Sequence, residues 1–433
     1  MQSGKEMKEV LQDAWHEETA RNSIERWNNL CEQEHWPDKP GRLPLLVKIF
    51  GASWYFTRYI FVNGPEAAGL IDQDHVNEFG KNYYINFLSQ ALEADDIEKR
   101  TDRLRILKNA CMLQILIAFL KGGQSQQKLE YLLTDLAEAT LDVLITSYEV
   151  LPQHATFPVT VLGMGRMAGH EMIFGSDLDL IFLYESEDHE LYARLGKTIR
   201  LLLRTIAQPA SAGSLYDIDM RLRPHGNSGP LVTSYKTFVE YHSGNRDIWE
   251  KQMMTRCRPV LVRSTNVEPV LKNVNEHVYV EYDKGFLKQE IVNMRMKVQK
   301  QLGSPKGRYE IKRGYGGIMD IDFITHYFQL GYGHEYQMLQ TTSTRSVLDQ
   351  ARKLNLIDTG VAGKLTGYYD YLKRVEMCLR LFDLKSVDSF TTFEQDNLAL
   401  SRAMGHGDDT RSFIDEYESV THSVRKYFLE LLE

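Results

Sequence analysis

Three scarcities narrow the functions open to this chain. It has only four cysteines in 433 residues. Cys31, Cys111, Cys257 and Cys378 lie far apart, without the paired spacing of a zinc site or a redox motif, and we read them as reduced core thiols. It has no surplus of positive charge: 51 Lys and Arg against 59 Asp and Glu give a net charge of −8. Sequence-independent affinity for phosphate backbones is carried by excess Lys and Arg, so a general nucleic-acid coat is excluded and only a local basic site stays open. It also has no apolar run long enough to span a membrane. The longest, around residues 110–120, is bracketed by Lys108 and Lys121 and fits a buried helix. The first residues, MQSGKEMKEVLQDAWHEE, are charged and lack the apolar stretch of a secretory signal. The expectation is a cytoplasmic protein with no membrane and no nucleic-acid partner.

What is present is an ordinary globular composition, 43% hydrophobic and 25% charged, in a chain long enough for two or three domains. Residues 1–150 read as helical: Leu129, Leu132, Leu133, Leu136 and Val143 recur at helical spacing, and Gly122–Gly123 separates them from the preceding helix. Residues 151–265 change character, with predicted strands at Val159–Leu162, Leu178–Tyr184 and Leu215–Leu222 and helices near Glu190–Ile206 and Tyr235–His242. Residues 266–433 return to helical periodicity, interrupted by the glycine-rich Lys312–Phe323. An α/β core between two helical domains follows, mostly α overall.

The chemistry concentrates in that core. Asp177 and Asp179 stand two apart in an otherwise apolar predicted strand, so both project from one face while Leu178, Leu180 and Phe182 pack on the other. Ionised groups are costly in such a run unless they are paired or metal-bound. Carboxylates are hard ligands, and Mg²⁺ takes one or two of them together with substrate phosphates. In SLYDIDMRLRP, Asp217, Asp219, Arg221 and Arg223 alternate with apolar residues. Either acid could join the cation. The arginines could hold phosphate oxygens bidentately or merely neutralise the acids. The turn Gly163-Met-Gly165-Arg-Met-Ala-Gly169 spaces its third glycine too late for a dinucleotide fingerprint and lacks a regular helix start. It is either a tight connection or a place where backbone amides, with Ser176, approach a triphosphate. Asp320 and Asp322 are again two apart; on a helix they diverge by about 200°, so one could face the site while the other caps or solvates. Lys312 and Arg313 add positive charge beside them.

The strings LGMGRMAGHEMIFGSDLDLIFLY, LYDIDMRLRPHGNSGPLV and KRGYGGIMDIDFITHYFQL, in this order, resemble the nucleotidyltransferase modules of glutamine synthetase adenylyltransferases. The resemblance is strong over roughly residues 158–330 and weaker in the flanking helices. It implies an α+β fold, a polymerase-β-like nucleotidyltransferase core between N- and C-terminal helical domains. It implies Asp177 and Asp179 as paired metal ligands and Asp219 as the third, with Asp217 at a variable position. Arg221, Arg223, Gly226 and Gly229 match the R-L-R-P-x-G-x-x-G segment. Gly316, Gly317, Asp320 and Asp322 match a G-G-I-x-[DE]-I-[DE]-F motif whose second acid is usually Glu, and one of the two acids is a candidate general base. Arg166 stands where the family has lysine and Ala168 where it has the first of two glycines; phosphate contact is expected to survive through Gly165, Arg166, Gly169 and Ser176.

The implied activity is Mg²⁺-dependent transfer of AMP between ATP and a tyrosine hydroxyl of glutamine synthetase, or its removal by phosphate with release of ADP. The implied partners are the synthetase and a nitrogen-signalling regulator protein. The family enzyme carries two modules in tandem, and this sequence has room for one, as an excised half or a single-module relative. Two other classes remain open: a nucleotidyltransferase with another acceptor, and a non-catalytic nucleotide sensor.

Overall fold

A computed structural model describes residues 9–37, 39–73, 76–149, 158–186, 188–208, 213–264, 266–303 and 306–433. Its centre is a five-stranded mixed sheet of β1 (Val159–Met164), β2 (Leu178–Tyr184), β3 (Ile218–Asp219), β4 (Val232–Ser234) and β5 (Cys257–Val262). β1 lies between β5 and β2, antiparallel to both, and β2 carries β3 and β4 in parallel on its other edge. Parallel pairing requires a crossover. The helix His189–Ala207 supplies it, burying Leu195, Ile199, Leu202 and Ile206 along one stripe. The Asp188 carboxylate starts that helix by accepting the Glu190 amide at 2.8 Å.

Helices surround the sheet, so the expected class, α+β and mostly α, is the one observed. On the N-terminal side the two longest are Ile97–Lys121 and Gln126–Glu149, and all five periodic residues from Leu129 to Val143 are buried. Ile97–Lys121 is buried on nearly every face, and among the described residues no helix is long and apolar enough to cross a membrane. Polar groups buried in such a helix need partners. Arg105 donates to the carbonyls of Thr205 (3.0 Å) and Gln208 (3.1 Å), and Lys108 to that of Leu215 (2.8 Å). These bonds tie the end of the crossover helix and the approach to β3 onto the N-terminal helices.

The structure departs from the sequence reading in two places. The strand expected at Leu215–Leu222 narrows to Ile218–Asp219, because β2 pairs there only through Leu178 with Ile218 and Asp179 with Asp219. At Met220 the chain turns, the Arg223 amide bonding the Met220 carbonyl at 3.3 Å. The helical C-terminal region also contains a two-stranded ribbon, β6 (Arg308–Glu310) against β7 (Ser389–Thr391); strands of three residues carry too little alternation to be read from sequence. Of the expected domain limits, 150/151 and 265/266, residues 150–157 and 265 lie outside the described residues.

Candidate active site

The first glycine turn brings backbone onto β2. Contrary to the expectation of a turn without a helix start, it winds into one helical turn, Gly165–Ala168. Gly165 sits at φ +54°, and a Cβ there would stand 3.2 Å from Asp179 Oδ2. Only glycine passes over that carboxylate in that conformation without strain. The Gly165 amide donates to the Arg256 carbonyl at 3.0 Å, which fixes the turn against β5.

Beneath it, Asp177 and Asp179 project from the start of β2, and Asp219 joins them through the parallel register Asp179–Asp219. Ligand oxygens of all three lie within 4.8 Å of one another. Burial and then the Asp177 charge push the Asp179 carboxyl up to about 7. Hard oxygen donors crowded this closely form a set that a divalent cation would satisfy. Asp217, which shares the facing of Asp219 in the sequence pattern, is exposed and outside the cluster.

Most residues expected to grip phosphate are engaged elsewhere. Arg166 Nη2 donates to both oxygens of buried Glu376, 2.8 Å each, so its charge is already met from the helix Thr359–Leu381. Ser176 Oγ accepts the Ile173 amide at 3.0 Å and braces the turn into β2. Gly169 lies against Arg256 and Glu171, where a Cβ would meet the guanidinium at 2.7 Å. Arg223 is buried and donates to the carbonyls of Met220 (2.7 Å), Asn227 (3.2 Å) and Gly229 (3.1 Å), closing its own loop. Arg221 alone stays exposed at the cluster, its Nε 2.8 Å from Asp219 Oδ2. That hydrogen bond holds Asp219 below the usual carboxylate range.

Asp320 and Asp322, the candidates for a general base, do not join the cluster. Asp320 lies in the first turn of Ile318–Tyr332, wholly buried, with Arg295 Nε 2.5 Å from Oδ1 and Arg425 Nε 2.8 Å from Oδ2. Asp322 accepts from Arg256 at 3.0 Å and Thr344 Oγ1 at 3.1 Å. Arg256 also bonds Glu171, which takes the Thr344 amide (2.7 Å) and the Tyr369 hydroxyl (2.8 Å). Burial opposes the Glu171 charge, but Arg256, Lys373 and Arg345 outweigh it and hold the carboxyl below its ordinary range. These buried pairs join the glycine turn to the C-terminal helices. The sequence hinted at them only as charges inside apolar helical stripes, such as Lys373 and Glu376.

Comparison with known proteins accords with this geometry. A family model for glutamate-ammonia ligase adenylyltransferase matches residues 43–272, and one for GlnD PII-uridylyltransferase matches residues 286–432. The bifunctional glutamine synthetase adenylyltransferase/adenylyl-removing enzyme of Nitrosomonas europaea is 34% identical over 294 residues, 66% of this chain and 31% of the relative. The protein of the same name from Neisseria meningitidis serogroup A is 29% identical over 366 residues, 81% of this chain and 40% of the relative. The chain thus spans 31–40% of the length of these curated relatives.

Proposed function

Because the chain belongs to the glutamate-ammonia ligase adenylyltransferase family, we propose that it moves AMP between ATP and a tyrosine hydroxyl of glutamine synthetase in the cytoplasm, or removes that AMP by phosphorolysis. The observation that carries the reading is the convergence of Asp177, Asp179 and Asp219 across β2 and β3. In this reading the three carboxylates hold Mg²⁺, which when bound supplies charge to the phosphates and lowers the pKa of the attacking phenol. No carboxylate base is then needed.

The other residues shape access. Gly165 keeps the space above Asp179 free of side chain, so a phosphate can come down onto the carboxylates. Arg221, 72% exposed on its side chain, can leave Asp219 for a phosphate oxygen, since a solvated ion pair is worth only about 0–1 kcal/mol. We divide the chain into an N-terminal helical domain, 1–150, a nucleotidyltransferase core, 151–265, and a C-terminal helical domain, 266–433. The helical domains would dock the synthetase and set its tyrosine in line with the α-phosphorus, because positioning carries much of phosphoryl-transfer catalysis. The match of residues 286–432 to a PII-uridylyltransferase model supports a nitrogen-signalling regulator protein as a second partner of the C-terminal helices.

The test runs both directions at once. The chain is incubated with α-labelled ATP, Mg²⁺ and glutamine synthetase, and separately with adenylylated synthetase and inorganic phosphate. Label gained by, or released from, a synthetase tyrosine is the expected result. Binding of Mg-ATP with neither outcome would hand the site to another acceptor or to nucleotide sensing.

A further inference from the structure

The segment that leads from β1 to β2 carries the glycine turn and Asp177, and one face of one C-terminal helix clasps it. Tyr369, Lys373, Glu376 and Arg380 recur at helical spacing along Thr359–Leu381, form a single stripe, and are all buried. Charged side chains in a buried stripe are costly unless each meets a partner. Here the partners come from that segment. The Tyr369 hydroxyl donates to the Glu171 carboxylate at 2.8 Å, and Lys373 Nζ to the Glu171 carbonyl at 2.6 Å. Glu376 accepts Arg166 Nη2 on both oxygens, 2.8 Å each. Arg380 Nη1 donates to the Gly175 carbonyl at 3.2 Å, two residues before Asp177.

Glu376 is the junction of these contacts. Besides Arg166 it holds Arg380 Nη2 at 2.8 Å, and Asp388 meets the same guanidinium from the other side. Its first partner, Arg166, follows the glycine that passes over Asp179; its second grips the backbone entering the aspartate strand. Gly175, at φ +67°, lies so close to the chain beyond the helix that a Cβ would stand 3.0 Å from the Leu384 carbonyl oxygen. Asp320 offers the contrast. It too is buried and doubly paired, but Arg295 and Arg425 belong to the helices Lys284–Leu302 and Thr410–Leu432, away from the segment between β1 and β2.

We propose that Glu376 is a positioning residue for the metal site: through Arg166, and with Arg380 on the Gly175 carbonyl, it fixes the backbone that carries Gly165 and Asp177. The C-terminal region thereby sets how tightly the three carboxylates hold a cation, since a ligand constellation works only when its supports keep it within about 0.5 Å of the productive geometry. The proposal rests on the metal-site reading above.

The experiment measures Mn²⁺ affinity of the full chain by calorimetry, at a temperature where circular dichroism shows each variant folded, with urea denaturation run in parallel. Wild type is compared with Glu376→Gln, Arg166→Met, the double variant, Asp320→Asn and Asp177→Asn. Glu376→Gln and Arg166→Met are each expected to weaken Mn²⁺ at least fivefold. The double variant is expected to stay within about twofold of the weaker single one, because both changes break one contact and contacting residues are not additive. Asp320→Asn is expected to lose stability while Mn²⁺ affinity stays within about twofold of wild type. Where Glu376→Gln does not fold, Arg166→Met breaks the same contact from the other side and decides the proposal by the same limits. Mn²⁺ affinity within twofold of wild type in the folded variants, losses that multiply in the double variant, or an equal loss in Asp320→Asn would make the pair a general structural brace and overturn the proposal. Failure of the underlying reading looks different: wild type would not bind Mn²⁺, or Asp177→Asn would bind it as well as wild type, and the proposal would fall with it.

Discussion

Two pairs of aspartates in this chain share the same spacing and have opposite fates. Asp177 and Asp179 lie at the start of a strand, where a separation of two puts both carboxylates on one face, and a parallel neighbour adds Asp219. Asp320 and Asp322 lie at the start of a helix, where the same separation sends them apart. Each then meets its own cations: Arg295 and Arg425 for Asp320, Arg256 for Asp322. An acid-x-acid spacing acquires chemical meaning only once the backbone period is known. The second discriminator is neutralisation. Carboxylates met by buried guanidinium groups hold elements together, and carboxylates that crowd one another are left for a ligand.

The sharpest way to break this comparison is to remove charge from each pair in turn. Asp177→Asn or Asp179→Asn keeps volume and relieves repulsion, so the fold should survive while transfer falls at least about a hundredfold, as lost metal catalysis is worth several kcal/mol. Activity above roughly a tenth of wild type in either would end the metal assignment. Asp320→Asn should do the reverse. It strands Arg295 and Arg425 in the interior, and breaking a buried ion pair costs about 3–5 kcal/mol. Urea denaturation should show that loss, and activity per folded molecule at low temperature should stay near wild type. A specific activity that collapses in fully folded Asp320→Asn would return this residue to the chemistry.

A smaller effect separates two acids of one segment. Asp219→Asn, inside the cluster, should lower transfer by about tenfold or more, whereas Asp217→Asn, an exposed carboxylate outside it, should stay within about twofold. Equal losses, measured as initial rates at saturating ATP, would mean that the alternation in SLYDIDMRLRP continues as a strand in solution and delivers both acids to the site.

How far the sequence reached is visible in these same residues. β2 was legible to the residue, because seven apolar or alternating positions carry a clear period, and Asp177 and Asp179 stood out as charges with no local excuse. The helical flanks were legible for the same reason, as the buried stripe of Gln126–Glu149 confirms. The cations were not. Whether Arg166 grips a phosphate or Glu376 depends on a residue 210 positions away, and Arg223 spends its donors on carbonyls that any sequence would offer. Long-range ion pairs leave no periodic trace. The alternation around Asp219 misled in length because partial burial of a turn mimics a strand.

The mildest prediction concerns pH, and it follows from the crowding that distinguishes the first pair from the second. Asp179 is raised to about 7 by burial and by Asp177, above an ordinary carboxyl near 3.9 in the unfolded chain. A raised acid favours the folded state while it holds its proton. In the metal-free protein its contribution is therefore fully present below about pH 4 and is lost as pH climbs through about 7. A bound cation needs the ionised form, so proton and metal compete. Below about pH 7, Mn²⁺ affinity should fall by up to tenfold per pH unit, levelling above it. Asp179→Asn should remove both the alkaline loss of metal-free stability and the pH dependence of whatever metal binding remains. Thermal melts with and without Mn²⁺ at half-unit steps from pH 5.5 to 8.5 would read both, and a metal affinity flat across that range would mean that Asp179 stays ionised and that the three carboxylates are less crowded than their 4.8 Å clustering implies.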